Sequence, residues 1–253
     1  MTKLRFRFKD SIDEVEALST VARGFIRPEC YHLLANLKTS LEGLQATAQT
    51  SPIAWGISEQ TPLRTIMSDG EYHPGGGGAH RVCAEFTSKW EIQRIASVRK
   101  RMPAKFFELV GAASTRVRLL QVLEDGGLGD QLAMWRMEIG DDSSPGCRFH
   151  VQVLGEEAAL PFPHSLDVPR LPSVIATPPA VIEYVLGELF QARWASWIAS
   201  ESPAVNRWSV IQRERLEALL SWKLAIVRGS TGAPWPAIKR AKLSSNMFTG
   251  ISD

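Results

Sequence analysis

The sequence predicts an α+β fold: an antiparallel β-meander sheet of about six or seven strands, packed on one face by helices, with two helices at the C-terminal end. Three observations carry this expectation. From His80 onward, runs with period-2 alternation succeed one another across short turns, which favours antiparallel pairing. Two helical patterns precede these runs, and two long apolar stripes at helical spacing follow them. Clusters such as Asp125 to Gly129 punctuate the strands.

At 253 residues and 44% hydrophobic, the chain holds enough apolar side chains for one sizeable core. It reads as a single domain over 1–253: a strand and two helices in 1–50, an irregular Gly-rich connection in 51–79, the sheet in 80–155, a helical layer in 177–229 and a loose basic tail in 230–253. Lys3 to Lys9 alternates Leu4, Phe6 and Phe8 against Arg5, Arg7 and Lys9, an opening strand with a basic outer face. Ser11 followed by Glu14 reads as a capping box for the first helix. Pro28 fits the first position of the second, which carries Leu33, Leu34, Leu37, Leu41 and Leu44. Ile53–Ile57 and Leu63–Met67 are short strand candidates. The run Gly75 to Gly78 reads as a flexible connection or lid; no Gly-Lys-Ser/Thr follows it, so it is not a phosphate loop.

The meander strands are expected at His80–Thr87, Trp90–Val98, Lys105–Val110, Ser114–Leu123, Gln131–Ile139 and Cys147–Leu154. Gly155 to Ala176 carries four prolines, Pro161, Pro163, Pro169 and Pro172, and reads as an extended crossing segment. Thr177-Pro178-Pro179 starts a helix striped with Val181, Ile182, Val185, Leu186, Leu189, Phe190, Trp194 and Trp197, closed by Pro203. A last helix, about Asn206 to Arg228, is expected to bury Trp208, Ile211, Leu216, Leu219, Leu220, Ile226 and Val227. The order of strand, two helices, meander and long helix over residues 3–200 resembles the helix-grip (START-like) arrangement. That resemblance implies a ligand pocket between sheet and final helix.

The clearest stretch is Trp135 to Val153. Folded about the turn Gly140 to Gly146, it sets Ile139 against Phe149, Met137 against Val151 and Trp135 against Val153 on an apolar face. The other face then pairs Arg136 with Gln152 and Glu138 with His150, with Arg148 beside the turn. Pairing the preceding strand so that Leu123 opposes Gln131 sets Val117 against Met137, Leu119 against Trp135, Arg116 against Glu138 and Arg118 against Arg136. The result is a three-strand polar face of Arg116, Arg118, Arg136, Glu138, Arg148, His150 and Gln152.

Two function classes follow. One is a non-catalytic binding or accessory subunit. Its arginines, with Gln152, would recognise an anionic ligand, nucleic acid or a partner protein, because the guanidinium fork suits phosphate and carboxylate. The other is a metal-independent phosphodiesterase or RNase-like hydrolase using Glu138 and His150 as an acid–base pair. The segment Arg27-Pro28-Glu29-Cys30-Tyr31-His32 resembles the R-x4-6-H pattern of HEPN ribonucleases, but Pro28 puts Arg27 outside the helix. Asp69, Glu71, His73 and His80 have metal-binding side chains without metal-site spacing. Glu85 and Lys89, or Glu91 and Gln93, fall at a metal-nuclease spacing without the upstream aspartate. No metal or cofactor is expected. Eight tryptophans, four of them Trp194, Trp197, Trp208 and Trp222 on the last helices, suggest core packing or an interface for a partner or a second copy. Three cysteines without CxxC pairing and a net charge of +2 argue for reduced thiols and no global pull to nucleic acid. With no signal-peptide core and no apolar run of membrane-span length, the expected location is cytoplasmic, away from membranes.

Overall fold

The computed structural model describes residues 4–48, 50–73, 78–96, 104–141, 147–154, 171–244 and 247–249. The fold is α+β, with a large antiparallel sheet. Its elements are β1 (Arg5–Arg7), α1 (Phe8–Val21), α2 (Tyr31–Ala46), β2 (Ile53–Trp55), β3 (Leu63–Arg64), β4 (Glu71–Tyr72), β5 (His80–Arg94), β6 (Phe106–Leu109), β7 (Ala113–Val122), β8 (Leu128–Ile139), β9 (Phe149–Leu154), β10 (Leu171–Pro172), α3 (Pro178–Ile198), α4 (Pro203–Gly229) and α5 (Pro234–Arg240). The turn at 142–146, most of the glycine run and most of the crossing segment lie outside the described residues. None of the described helices is long and apolar enough to cross a membrane.

The sheet departs from a simple meander at β5. Two expected strands, His80–Thr87 and Trp90–Val98, are one strand of 15 residues. The short β6 and then β7 pair in series along one side of it, while β2, β3 and β4 pair along the other. Its middle is covered on both faces, from Val82 to Thr87, which removes the alternation that marks a half-buried strand. Ser88 and Lys89 look like a break because the alternation resumes there. Beyond β7 the order continues β8, β9, β10, and β1 lies outside β6.

The helices differ from expectation at their ends. The first begins at Phe8, three residues before the supposed cap, and Ser11 and Glu14 are buried inside it. They bind another helix in place of capping their own. Glu14 Oε1 accepts from Thr177 Oγ1 at 2.9 Å and from Gln212 Nε2 at 2.8 Å. Glu14 Oε2 is 3.1 Å from Arg215 Nη2, which also donates to Ser11 Oγ at 3.2 Å. Thr177 is the cap of α3, and Ser202 caps α4, so Pro203 opens α4 instead of closing α3.

On α4 the buried set is Val205, Trp208, Ile211, Arg215 and Leu219. Leu216, Leu220 and Val227, expected inside, are exposed. An arginine at the centre of the inward stripe hides that stripe from a hydrophobicity count. Part of the stretch expected as a basic tail packs on the core. Pro234–Arg240 is helical, and Phe248 is fully buried, stacked on Phe6 with ring centroids 5.3 Å apart. The tryptophans of the last helices, read as core packing or an interface, differ in burial. Trp194 and Trp208 are buried, and Trp222 meets Phe149 edge-on; the exposed Trp197 donates to Val21 O at 2.8 Å.

Helix α3 is interrupted at Gln191, with φ 35° and ψ −109°. This region of backbone space is unfavourable for a residue with a Cβ. The kink leaves the Leu189 carbonyl free to accept from the Asp69 amide at 3.1 Å, and Asp69 Oδ1 pairs with Arg193 Nη2 at 2.9 Å. Replacing Gln191 by glycine should relieve this strain and raise unfolding free energy by about 1 kcal/mol. Urea denaturation measures it, and a lower midpoint would show that the Gln191 side chain contributes more than the strain costs.

Candidate functional site

The β8–β9 register is the one expected: Ile139↔Phe149, Met137↔Val151, Trp135↔Val153, Arg136↔Gln152 and Glu138↔His150. The β7–β8 register is shifted by two residues from expectation. Arg116 faces Arg136, Ser114 faces Glu138, and Arg118 faces Met134; Val117 faces Trp135. The hairpin closes at Val122↔Leu128 through two irregularities, not at Leu123 and Gln131. A shift of two keeps every side chain on its face, so the predicted polar face survives with different partners.

That face is richer in carboxylates than the sequence reading allowed. Glu85, from β5, is 1% exposed and lies opposite Arg118 in register. It holds Arg118 through Oε1 and Arg64 through Oε2, the latter at 2.8 Å. Arg136 donates to Gln152 Oε1 at 3.0 Å and sits 3.4 Å from Glu138 Oε1. Arg148 stays beside the turn, its Nη1 donating to Gly140 O at 3.4 Å. Glu85 and Lys89 were missed as members of the face because β5 was split at Ser88, and Arg64 because it joins the face only through the pairing of β3 with β5.

Glu138 and His150 do meet, Nε2 to Oε2 at 2.9 Å, and His150 Nδ1 is 2.8 Å from Cys147 O. A carbonyl only accepts, so Nδ1 carries its proton; Nε2 faces a carboxylate oxygen, which an N–H on that side satisfies. Both ring nitrogens are thus engaged, and His150 is only 2% exposed. The pair holds β8 to β9 and offers no imidazole nitrogen to a substrate.

A polar cavity of about 460 Å³ opens on this face. Thr87 and Lys89 of β5, Ser114 and Arg116 of β7 and Arg136 of β8 line its floor, and Ile57 to Gln60 form its wall. Gly56 fixes that wall: a Cβ there would lie 2.0 Å from Ser88 O. The neighbouring Ile57 amide donates to Ser88 Oγ at 2.9 Å. Arg116 is 3.2 Å from Glu59, whose side chain is 70% exposed on the wall. The Lys89 side chain makes no hydrogen bond or ion pair among the described residues.

Two further cavities lie on the helical side. One of about 850 Å³ separates the apolar side of β8 and β9, at Trp135, Met137 and Val151, from α3 at Val185 and Leu189. The other, about 430 Å³, lies between α3 and α4 and is lined by Glu183, Trp194, Gln212 and Arg215 among others. Burial pushes the Glu183 carboxyl above its ordinary value; the nearby Trp208 indole opposes the rise and the Glu14 charge adds to it.

The other sequence candidates are not brought together. Arg27 Nε donates to Thr65 O at 3.3 Å, while His32 is exposed on α2. His80 Nδ1 bonds Gln121 at 3.1 Å, and Asp69 is taken by Arg193. No three His, Cys, Asp or Glu side chains among the described residues are placed to hold a metal ion. Cys30 and Cys83 are buried, and burial pushes the Cys83 thiol up, away from the reactive thiolate. No protein-family model matches this chain, and neither a curated protein nor a solved structure matches it.

Glu183 gives the helical cavity a pH signature. Its raised folded-state pKa means that ionisation opposes folding, and that penalty grows as pH rises above the ordinary 4.5 and through the folded-state value. Glu183→Gln should therefore melt at a higher temperature than the wild type near neutral pH, and the gap should close below 4.5. A gap of the same size at both ends of a pH series of melts would contradict this.

Proposed function

We propose that the protein is a non-catalytic binding protein that recognises an anionic small molecule in the cavity on the polar sheet face. The observation that carries this reading is the direct cross-strand opposition of Arg116 and Arg136, with Lys89 beside them, in one cavity. Like charges directly opposite destabilise a sheet. Among the described residues, three cations share the cavity with one lining carboxylate, Glu59, on an exposed loop, while Glu138 pairs with Arg136 from outside the lining. A ligand phosphate or carboxylate would replace Glu59 with charge-assisted hydrogen bonds. A concave site of this volume, within the roughly 300–1,000 Å³ range of ligand pockets, favours a small phosphorylated or polycarboxylate ligand over an extended nucleic-acid backbone.

The hydrolase reading is the weaker one, because His150 is buried with both nitrogens engaged and does not line the cavity. Arg118, a ligand residue in the sequence reading, is a structural partner of Glu85, leaving Arg116, Arg136 and Lys89 as the proposed contacts.

Titration calorimetry with pyrophosphate tests the site. The wild type should bind, and Arg116→Ala with Arg136→Ala should weaken binding at least ~10-fold, since each hydrogen bond to a charged group contributes about 1.5–3 kcal/mol. Glu59→Gln should tighten it by freeing Arg116. Absent binding by the wild type, or affinity unchanged in the double variant, would remove the proposal.

A further inference from the structure

The cavity between α3 and α4 has one polar feature that the fold alone does not explain. Arg215 is 5% exposed, with its guanidinium 5.7 Å from the ring centroid of Phe6. Its Nη2 is held by Glu14 and Ser11, but Nε and Nη1 are buried without a hydrogen-bond partner among the described residues. Together they carry three N–H donors. A buried guanidinium left so incompletely satisfied is costly, and native proteins seldom retain such groups without a use. Arg215 lines the cavity, and so do Gln212 and Thr177, each of which gives one donor to Glu14.

The remaining lining decides the ligand class. Trp194, Leu216, Leu219 and Ala180 make most of the wall apolar, so the body of a ligand must be apolar. The charged groups facing the cavity are one cation, Arg215, and two carboxylates, Glu183 and Glu188. Glu188 is exposed at the rim. Burial raises the Glu183 carboxyl above its ordinary value, which disfavours a second charge beside a bound anion. One guanidinium among these groups does not suit a doubly charged phosphate. Tyr184 and Leu216, both exposed, form an open mouth.

We infer that this α3–α4 cavity is a second ligand site, taking an apolar monocarboxylic acid whose carboxylate accepts from the free Nε–H and Nη1–H groups of Arg215. The site is independent of the sheet-face cavity and lies on other elements.

Octanoate, with octanamide as its uncharged counterpart, is the probe, followed by calorimetry and by the fluorescence of Trp194 in the cavity wall. Octanoate should bind the wild type, and octanamide should bind at least ~10-fold more weakly, a difference of about 1.4 kcal/mol. Arg215→Lys keeps a cation for Glu14 while removing the guanidinium donors, and should weaken octanoate by a similar factor. Because that variant alters a buried ion pair, Ala180→Phe provides a second test: it fills the cavity without touching Arg215 and should abolish binding in a protein that still melts cooperatively. Arg116→Ala with Arg136→Ala should leave octanoate binding unchanged. Equal affinity for octanoate and octanamide, no binding of octanoate by the wild type, or full octanoate affinity in a folded Ala180→Phe protein would each overturn the inference.

Discussion

Glu14 is the residue on which the arrangement of the helices depends. It lies on α1, fully buried, and receives donors from the cap of α3 and from two side chains of α4. Its partners stand 163 and 198 positions away for Thr177 and Gln212. One carboxylate therefore ties the start of the chain to its end. A buried carboxylate is tolerated only when its lone pairs are satisfied, and here three donors do so. Removing one partner of such a pair costs about 3–5 kcal/mol, because the other charge stays buried. The pair thus fixes how α3 and α4 lie against α1, and with that the width of the space between them.

The same logic, with opposite outcome, separates the two faces of the sheet. On the apolar face the cross-strand pairs are Val117 with Trp135 and Met137 with Val151. On the polar face, Glu85 is buried and pairs with both Arg118 and Arg64. Two residues further along, Arg116 and Arg136 face each other; Glu138 lies 3.4 Å from Arg136, and among the described residues the exposed Glu59 is the one carboxylate lining their cavity. The two pairs of arginines differ in what holds them: a buried carboxylate fixes the first, and an exposed loop carboxylate faces Arg116.

The sequence carried the period-2 information well and the long-range information poorly. Alternation in Trp135 to Val153 excluded a slip of one between β8 and β9, which would set arginine against phenylalanine, and folding about the turn at 140–146 selected the observed register. It could not distinguish a shift of two in β7–β8, which leaves every side chain on its face. The centre of β5 was opaque for a related reason: covered on both sides, it has no alternation to read. Ser11 and Glu14 have the spacing of a capping box, and local pattern gives no sign that their partner is Arg215. Arg215 in turn sits in the inward stripe of α4, where a hydrophobicity pattern expects Leu216 and Leu220. Of the candidate site, Arg116 and Arg136 were legible from parity alone, while Lys89 and the Ile57 to Gln60 wall depend on contacts that only the assembled sheet supplies.

The proposed anion site lies where Arg116, Arg136 and Lys89 converge. Diffraction from crystals soaked in tungstate, a heavy oxyanion of phosphate-like shape, tests that proposal. A strong anomalous peak is expected within hydrogen-bonding reach of both arginines, with Glu59 displaced from Arg116. A well-ordered peak elsewhere on the molecule and none in this cavity would contradict it.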